Sequence, residues 1–194
     1  MHSVEKIVWI MTFLLCTGCG VLTDNYHSVS QGKELPIMYR SAQMKPERLQ
    51  RAIREQSVDT VLNLRGESPE KDWYREEVNV CKDTDTEHLS IKMSAYKRPS
   101  KEKVLRLISI LEQAKKQNKT VLLHCQGGAD RSGFASAVAQ MVVYDKSAQQ
   151  ALNSFSIWYG CLLFYIPLDE IIEEYQAYEK KMSFREWVEN VYVP

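Results

Sequence analysis

The chain has 194 residues, 44% of them hydrophobic and 26% charged, which suits one globular domain with a substantial core. Its 25 basic and 25 acidic side chains cancel and no strongly basic run occurs, so composition argues against a general nucleic-acid role. Any preference for an anion has to come from a local site.

The first twenty residues stand apart. Glu5 and Lys6 lead into an apolar run from Ile7 to Leu15, and small residues follow at Thr17-Gly18-Cys19-Gly20. This is the layout of a secretory signal, since the run is far short of the ~20 residues that span a bilayer. Leu15-Cys16-Thr17-Gly18-Cys19 resembles the bacterial lipobox, in which a cysteine after a small residue becomes lipid-modified and amino-terminal; Cys16 stands where leucine is usual. The sequence therefore predicts residues 1–20 as a signal or lipoprotein anchor with its lipid on Cys19. The expected location is exported, as a membrane-anchored lipoprotein of a bacterial periplasm. The polar stretch 21–35 is expected as a tether and 36–194 as the domain.

Within the domain, Ile37-Met-Tyr-Arg-Ser predicts a short strand. Pro46 suits the first turn of a helix on which Leu49, Ala52 and Ile53 repeat at helical spacing. The β-branched run Val58 to Leu64 predicts a buried strand ending at Arg65-Gly66. Ser68-Pro69 opens a short helix with Trp73 and Tyr74, Val78 to Cys81 is expected as an edge strand, and His88 to Met93 as a further strand. Ser100 is placed to cap a helix whose stripe is Val104, Leu105, Leu107, Ile108, Leu111 and Ala114. Thr120 to His124 is a buried strand, and Phe134 to Val143, apolar all round, is the central helix. Amphipathic helices follow over Ala148 to Phe155, Pro167 to Lys180 and Ser183 to Val191, the last with a Ser183/Glu186 capping box. This alternation predicts an α/β fold: a central, mainly parallel, twisted sheet of four to five strands flanked by helices on both faces. Ligands then bind beyond the carboxyl ends of the strands, where the residue 125 loop, Arg65-Gly66 and the Met93 to Pro99 turn converge.

The chemistry concentrates in His124-Cys-Gln-Gly-Gly-Ala-Asp-Arg-Ser-Gly133. A strand hands over to a helix through a loop whose N–H groups can converge on an anion, with the helix adding its positive end. Gln126, Gly127, Gly128 and Ala129 supply that backbone cradle, and the glycines allow unusual dihedrals and close approach. Cys125 lies at its floor, where the field that holds phosphate also favours thiolate. Arg131 offers a planar fork to two phosphate oxygens, and the Ser132 hydroxyl is placed to steady the sulfur as a leaving group. Of the other cysteines, Cys81 and Cys161 belong to the domain and no close-spaced pair suggests zinc. A bridge from Cys125 to either would be a reversible off-switch, although burial is the commoner fate of such thiols.

Cys125, five intervening residues, Arg131 and Ser132, preceded by His124, resemble the signature of the cysteine-based protein tyrosine and dual-specificity phosphatases. Tyr39 to Gln43, Asn63 to Glu67, Trp158-Tyr159-Gly160 and Phe184 to Val188 resemble segments of bacterial exported or lipoprotein members. The resemblance implies a phosphatase-like fold over 36–194 and hydrolysis of phosphate monoesters through a cysteinyl-phosphate, with no metal or cofactor. The implied substrate is a phosphorylated protein, and the alternative is a phosphoinositide or inositol phosphate. Arg40 and Arg65 are candidates to meet a substrate anion, while Trp158 and Trp187 are expected as framework.

The related enzymes usually supply the leaving group's proton from an aspartate on a separate loop. The segment Ser94 to Ser100 has no carboxylate. Asp130 is the substitute, in a position that resembles myotubularin-like lipid phosphatases, with an ion pair to Arg131 or a helix-capping role as its structural alternative. Ala129, however, stands where many inositol-phosphate phosphatases carry an extra cation. Asp83, Asp85 and Glu87 form an acidic run expected in a solvated loop. Two other classes fit a cysteine loop: a persulfide-forming sulfurtransferase, which would ignore aryl phosphates, and a non-catalytic phosphate-binding module, which would not require Cys125.

Overall fold

Three tetrapeptides make the centre of the molecule: β2 (Met38–Ser41), β3 (Thr60–Asn63) and β5 (Val121–His124). The last two are buried at every position, as strands covered on both faces must be. With β1 (His27–Ser28) and β4 (Glu87–Ser90) they form a five-stranded sheet in the order β1-β2-β5-β3-β4. All pairs are parallel except β1 with β2. The computed structural model describes residues 24–30, 35–160 and 167–194.

Alternation along the strands sorts the helices. Val61 and Leu122 face α1 (Pro46–Gln56) and α2 (Asp72–Asp83), where Leu49, Ala52, Ile53, Val80 and Cys81 complete one core layer. Leu62, Val121 and Leu123 face the other way, into a larger layer with α3 (Lys101–Gln117) and α4 (Asp130–Val142). α4 is buried almost all round, which is why its sequence shows no polar face. Beyond it lie α5 (Ala148–Ala151), two 3-10 turns at Leu152–Phe155 and Ile157–Tyr159, α6 (Asp169–Gln176) and α7 (Phe184–Asn190). The expected capping box at Ser183 and Glu186 is formed. Trp187 is buried among Tyr175, Phe184 and Tyr192.

Several expectations are corrected. Val78 to Cys81 is not an edge strand but the second half of α2, because Glu77, Val80 and Cys81 recur at three- and four-residue spacing and turn inward together. The expected helix over Ala148 to Phe155 is one α-turn continued as 3-10, and that over Pro167 to Lys180 contracts to Asp169–Gln176. Trp158 is 84% exposed rather than part of the framework. Part of the expected tether is folded: β1 pairs with β2, and Asn25, Val29 and Ser30 are buried. A two-residue strand has no period to read, so its pairing alone reveals it. The signal and the lipobox at Cys19 lie outside the described residues, and no helix among those described is long and apolar enough to cross a membrane.

Candidate active site

The parallel order puts the carboxyl ends of β2, β3 and β5 side by side, and the loop after His124 emerges at that edge, centre-sheet. The backbone of Cys125 is drawn under the loop by its own N–H, which donates to the Ser41 carbonyl at 3.4 Å. Its thiol is buried and not in a disulfide. The Gly128 N–H donates to Cys125 Sγ at 3.2 Å, so the loop folds back over the sulfur. That turn requires glycine at 128. The residue has φ +71°, and a Cβ there would lie 2.6 Å from Ala42 N and 2.7 Å from Ser41 C. Gly127 needs no such freedom, because a Cβ there would meet nothing within 4 Å. The expectation for the glycine pair thus holds for one member. Gly133 packs tightly, 3.1 Å from Ser154 O to its would-be Cβ, and so lets α4 seat against the first 3-10 turn.

Asp130 is the first residue of α4 and half-buried; Arg131 follows it in the same turn. The Arg131 Nε is buried with no hydrogen-bond partner among the described residues, a charged donor without a protein acceptor. Ser132 is fully buried, and its hydroxyl donates to Ser41 O at 3.3 Å, the same carbonyl that takes the Cys125 N–H. Gln126 is exposed and its carbonyl accepts from Gln43 N, while Ala129 is buried.

Arg40 does not meet a substrate. It is 1% exposed, and its guanidinium donates to the carbonyls of Gly128, Ala129 and Ser154 while lying over Tyr159. These bonds tie the backbone of the loop to β2 and to the first 3-10 turn. Asn25 adds a second clamp, donating through Nδ2 to Gly127 O at 3.0 Å and Tyr159 O at 2.8 Å.

The feature that sequence reasoning missed is Glu77. Buried on α2, it receives His88 Nε2 at 2.8 Å on one oxygen, and Gln43 Nε2 and the contact from His124 Nε2 at 3.1 Å on the other. Burial alone would push its carboxyl up, but the pull of His124 and the hydrogen bonds outweigh that and hold it well below the usual carboxylate range. The same buried charge, second to burial itself, pushes the Cys81 thiol up to about 12, so that thiol is inert. A carboxylate three residues before Val80 and four before Cys81, on one inward helical stripe, is the available signal, and a strand reading of Val78 to Cys81 hides it. Arg65 lies in the same cluster, 3.5 Å above the Trp73 ring. The acidic run is elsewhere: Asp83 ends α2, Asp85 turns the chain, and Glu87 pairs with Lys119 at the amino end of β4, away from the cup. The Met93 to Pro99 turn brings Arg98 to Glu174 and no carboxylate of its own.

Comparison with known proteins agrees with this geometry. Curated protein sequences give no match to the chain. Among solved structures, Tk-PTP in its active form matches with TM-score 0.62 at 19% identity, over 83% of this chain and all of that one. PTPMT1 in complex with PI(5)P matches with TM-score 0.62 at 15% identity, over 86% and 97%. The core of the PP-IP phosphatase SIW14 from S. cerevisiae matches with TM-score 0.61 at 20% identity, over 88% and 95%. At these identities the likeness establishes the fold, a protein tyrosine phosphatase-like α/β sheet. The family model described as Swiss Army Knife protein, DSP-PTPase phosphatase domain, matches residues 34–159. A buried thiol beneath a back-folded glycine loop, an arginine donor in the next helical turn and that match over most of the chain lead to one assignment: the protein belongs to the DSP-PTPase phosphatase family, within the cysteine-based dual-specificity phosphatase superfamily.

Proposed function

We propose that this phosphatase removes phosphate from tyrosine side chains of proteins, and from serine and threonine at lower rates. The observation that carries the reading is the pairing of Cys125 Sγ, capped by the Gly128 N–H, with the unpaired donor of Arg131. In the first step the Cys125 thiolate attacks phosphorus, the P–O bond to the leaving group breaks, and the departing oxygen takes a proton from Asp130. In the second, water attacks the cysteinyl-phosphate, its proton returns to Asp130, and the S–P bond breaks to release phosphate and thiolate. Arg131 and the N–H groups of Gln126 to Ala129 hold the equatorial oxygens of both transition states. Ser132, donating to the Ser41 carbonyl that also takes the Cys125 N–H, holds the backbone beneath the sulfur, and to support the sulfur as it leaves, its hydroxyl would turn from that carbonyl.

The alternative is a phosphoinositide or inositol phosphate, favoured by the position of Asp130 inside the loop and by similar structures that hold PI(5)P or belong to a PP-IP phosphatase. Against it, Ala129 adds no cation to the loop. We further propose export and membrane attachment through a lipid on Cys19; incorporation of labelled fatty acid, lost in Cys19→Ser, tests this. For substrate, the chain is incubated with phosphotyrosyl peptide, phosphoseryl peptide and phosphoinositides beside Cys125→Ser. The reading expects fastest release from phosphotyrosine and none from the variant. Faster release from the lipids would replace it with the alternative.

A further inference from the structure

Beside the cup four side chains form a connected series that the two reaction steps do not use. Asn63, in register with His124, fixes the turn after β3 by accepting the Arg65 N–H at 2.7 Å, while Leu64 N donates to His124 O. Arg65 therefore leaves the sheet next to the nucleophile loop. Its guanidinium stacks on Trp73 and donates through Nη1 to Gln43 Oε1 at 2.8 Å. Gln43 is tied to the loop through its backbone N–H on Gln126 O and to Glu77 through Nε2 at 2.5 Å. Burial first, and then the like charge of Arg131, lower the affinity of Arg65 for its proton, as expected of two guanidinium groups sharing one pocket.

The chemistry of these groups dictates the direction of the central amide. A guanidinium offers only donors and an ionised carboxylate only acceptors. With Glu77 ionised, the NH2 end of Gln43 must face Glu77 and its oxygen must face Arg65. A neutral group at 77 would free the amide to turn over and present donors to a guanidinium. The buried charge on α2 is thus converted into the posture of an arginine on the rim. One N–H of Arg65 is engaged by Gln43, and the rest of its planar fork is available to a second anion. A small depression lined by Gln43, Lys45, Leu49, Trp73, Glu76 and Glu77 lies alongside.

We propose that Glu77, acting through Gln43, fixes Arg65 on the face of Trp73 as a second guanidinium beside the cup. There Arg65 receives the carboxylate of an acidic residue flanking the phosphorylated one. Glu77 and Gln43 are positioning residues and Arg65 is the specificity determinant. This rests on the protein-phosphatase reading above.

The test uses two phosphotyrosyl peptides that differ only in glutamate or glutamine on either side of the phosphotyrosine. The wild-type chain should favour the glutamate peptide by about tenfold in kcat/KM, chiefly through KM, as a charge-assisted hydrogen bond would give. Arg65→Met should bring the ratio to about one. Gln43→Met and Glu77→Gln should each reduce it in the same way, and Gln43→Met added to Arg65→Met should change it no further, because Gln43 acts only through Arg65. Gln43 is half-buried and its loss leaves Glu77 held by both histidines, so that variant remains informative where Glu77→Gln fails to fold. A ratio near one in the wild-type chain, or a preference that survives Gln43→Met, overturns the inference alone. No turnover of either peptide beside active hydrolysis of inositol phosphates overturns the protein-phosphatase reading and the inference with it.

Discussion

At position 128 the backbone permits one residue. The positive φ, and the 2.6 Å approach of a Cβ to backbone that cannot yield, make Gly128→Ala cost roughly 2 kcal/mol or more in unfolding free energy, with loss of turnover as the loop is forced off the sulfur. Gly127→Ala meets open space and should stay within about 0.5 kcal/mol of the wild type, so urea titrations of the pair isolate the geometric requirement. Asp130 is tested by leaving group. Asp130→Asn should slow phenyl phosphate about a hundredfold while p-nitrophenyl phosphate, whose leaving group needs no proton, falls much less. Equal losses on both would assign Asp130 to the helix terminus instead. These residues were legible in the sequence because they are contiguous, so that one loop carries nucleophile, cradle and arginine. The cluster of Glu77, Gln43 and His88 was not, since its members lie on separate segments with no shared spacing, and only the place of Glu77 on the inward stripe of α2 hints at it.

The element that couples fold to site is α2, because it carries Glu77 beneath both His88 and His124. A carboxyl whose folded pKa is depressed contributes stability that is fully present above its unfolded value, near 4.5, and is lost as the pH falls below that value. Glu77→Gln should therefore be destabilised by roughly 3 kcal/mol at pH 7, and the gap to the wild type should narrow steadily as urea titrations move from pH 5 to pH 3. A gap that stays constant with pH would mean that the carboxylate's charge is not what the histidines recognise. The segment at Asn25 is the second coupling element. Removing its amide in Asn25→Ala should cost about 1 kcal/mol, since two part-buried carbonyls lose a donor, and should lower turnover by loosening Gly127. Its role was invisible in the sequence for the reason that made it look like a tether: polar residues without period gain structure only from what they touch.

Across the whole molecule, a mainly parallel sheet with the nucleophile strand at its centre brings Ser41, Leu64 and Cys125 to one edge, where the loops meet. The alternation of strand and helix was readable in order because buried parallel strands are short apolar runs and their helices carry clear stripes. What could not be read was pairing across distance, including the clamp of Arg40 behind the loop and the stub of β1 at the sheet's edge. The central claim is covalent chemistry at one sulfur, and it can be observed directly. Acid quench of the wild-type chain during turnover of a phosphotyrosyl peptide, followed by mass analysis of its peptides, should find one phosphoryl group, on the peptide containing Cys125, and none in Cys125→Ser. A phosphoryl group on another residue, or undiminished turnover by Cys125→Ser, would contradict the account.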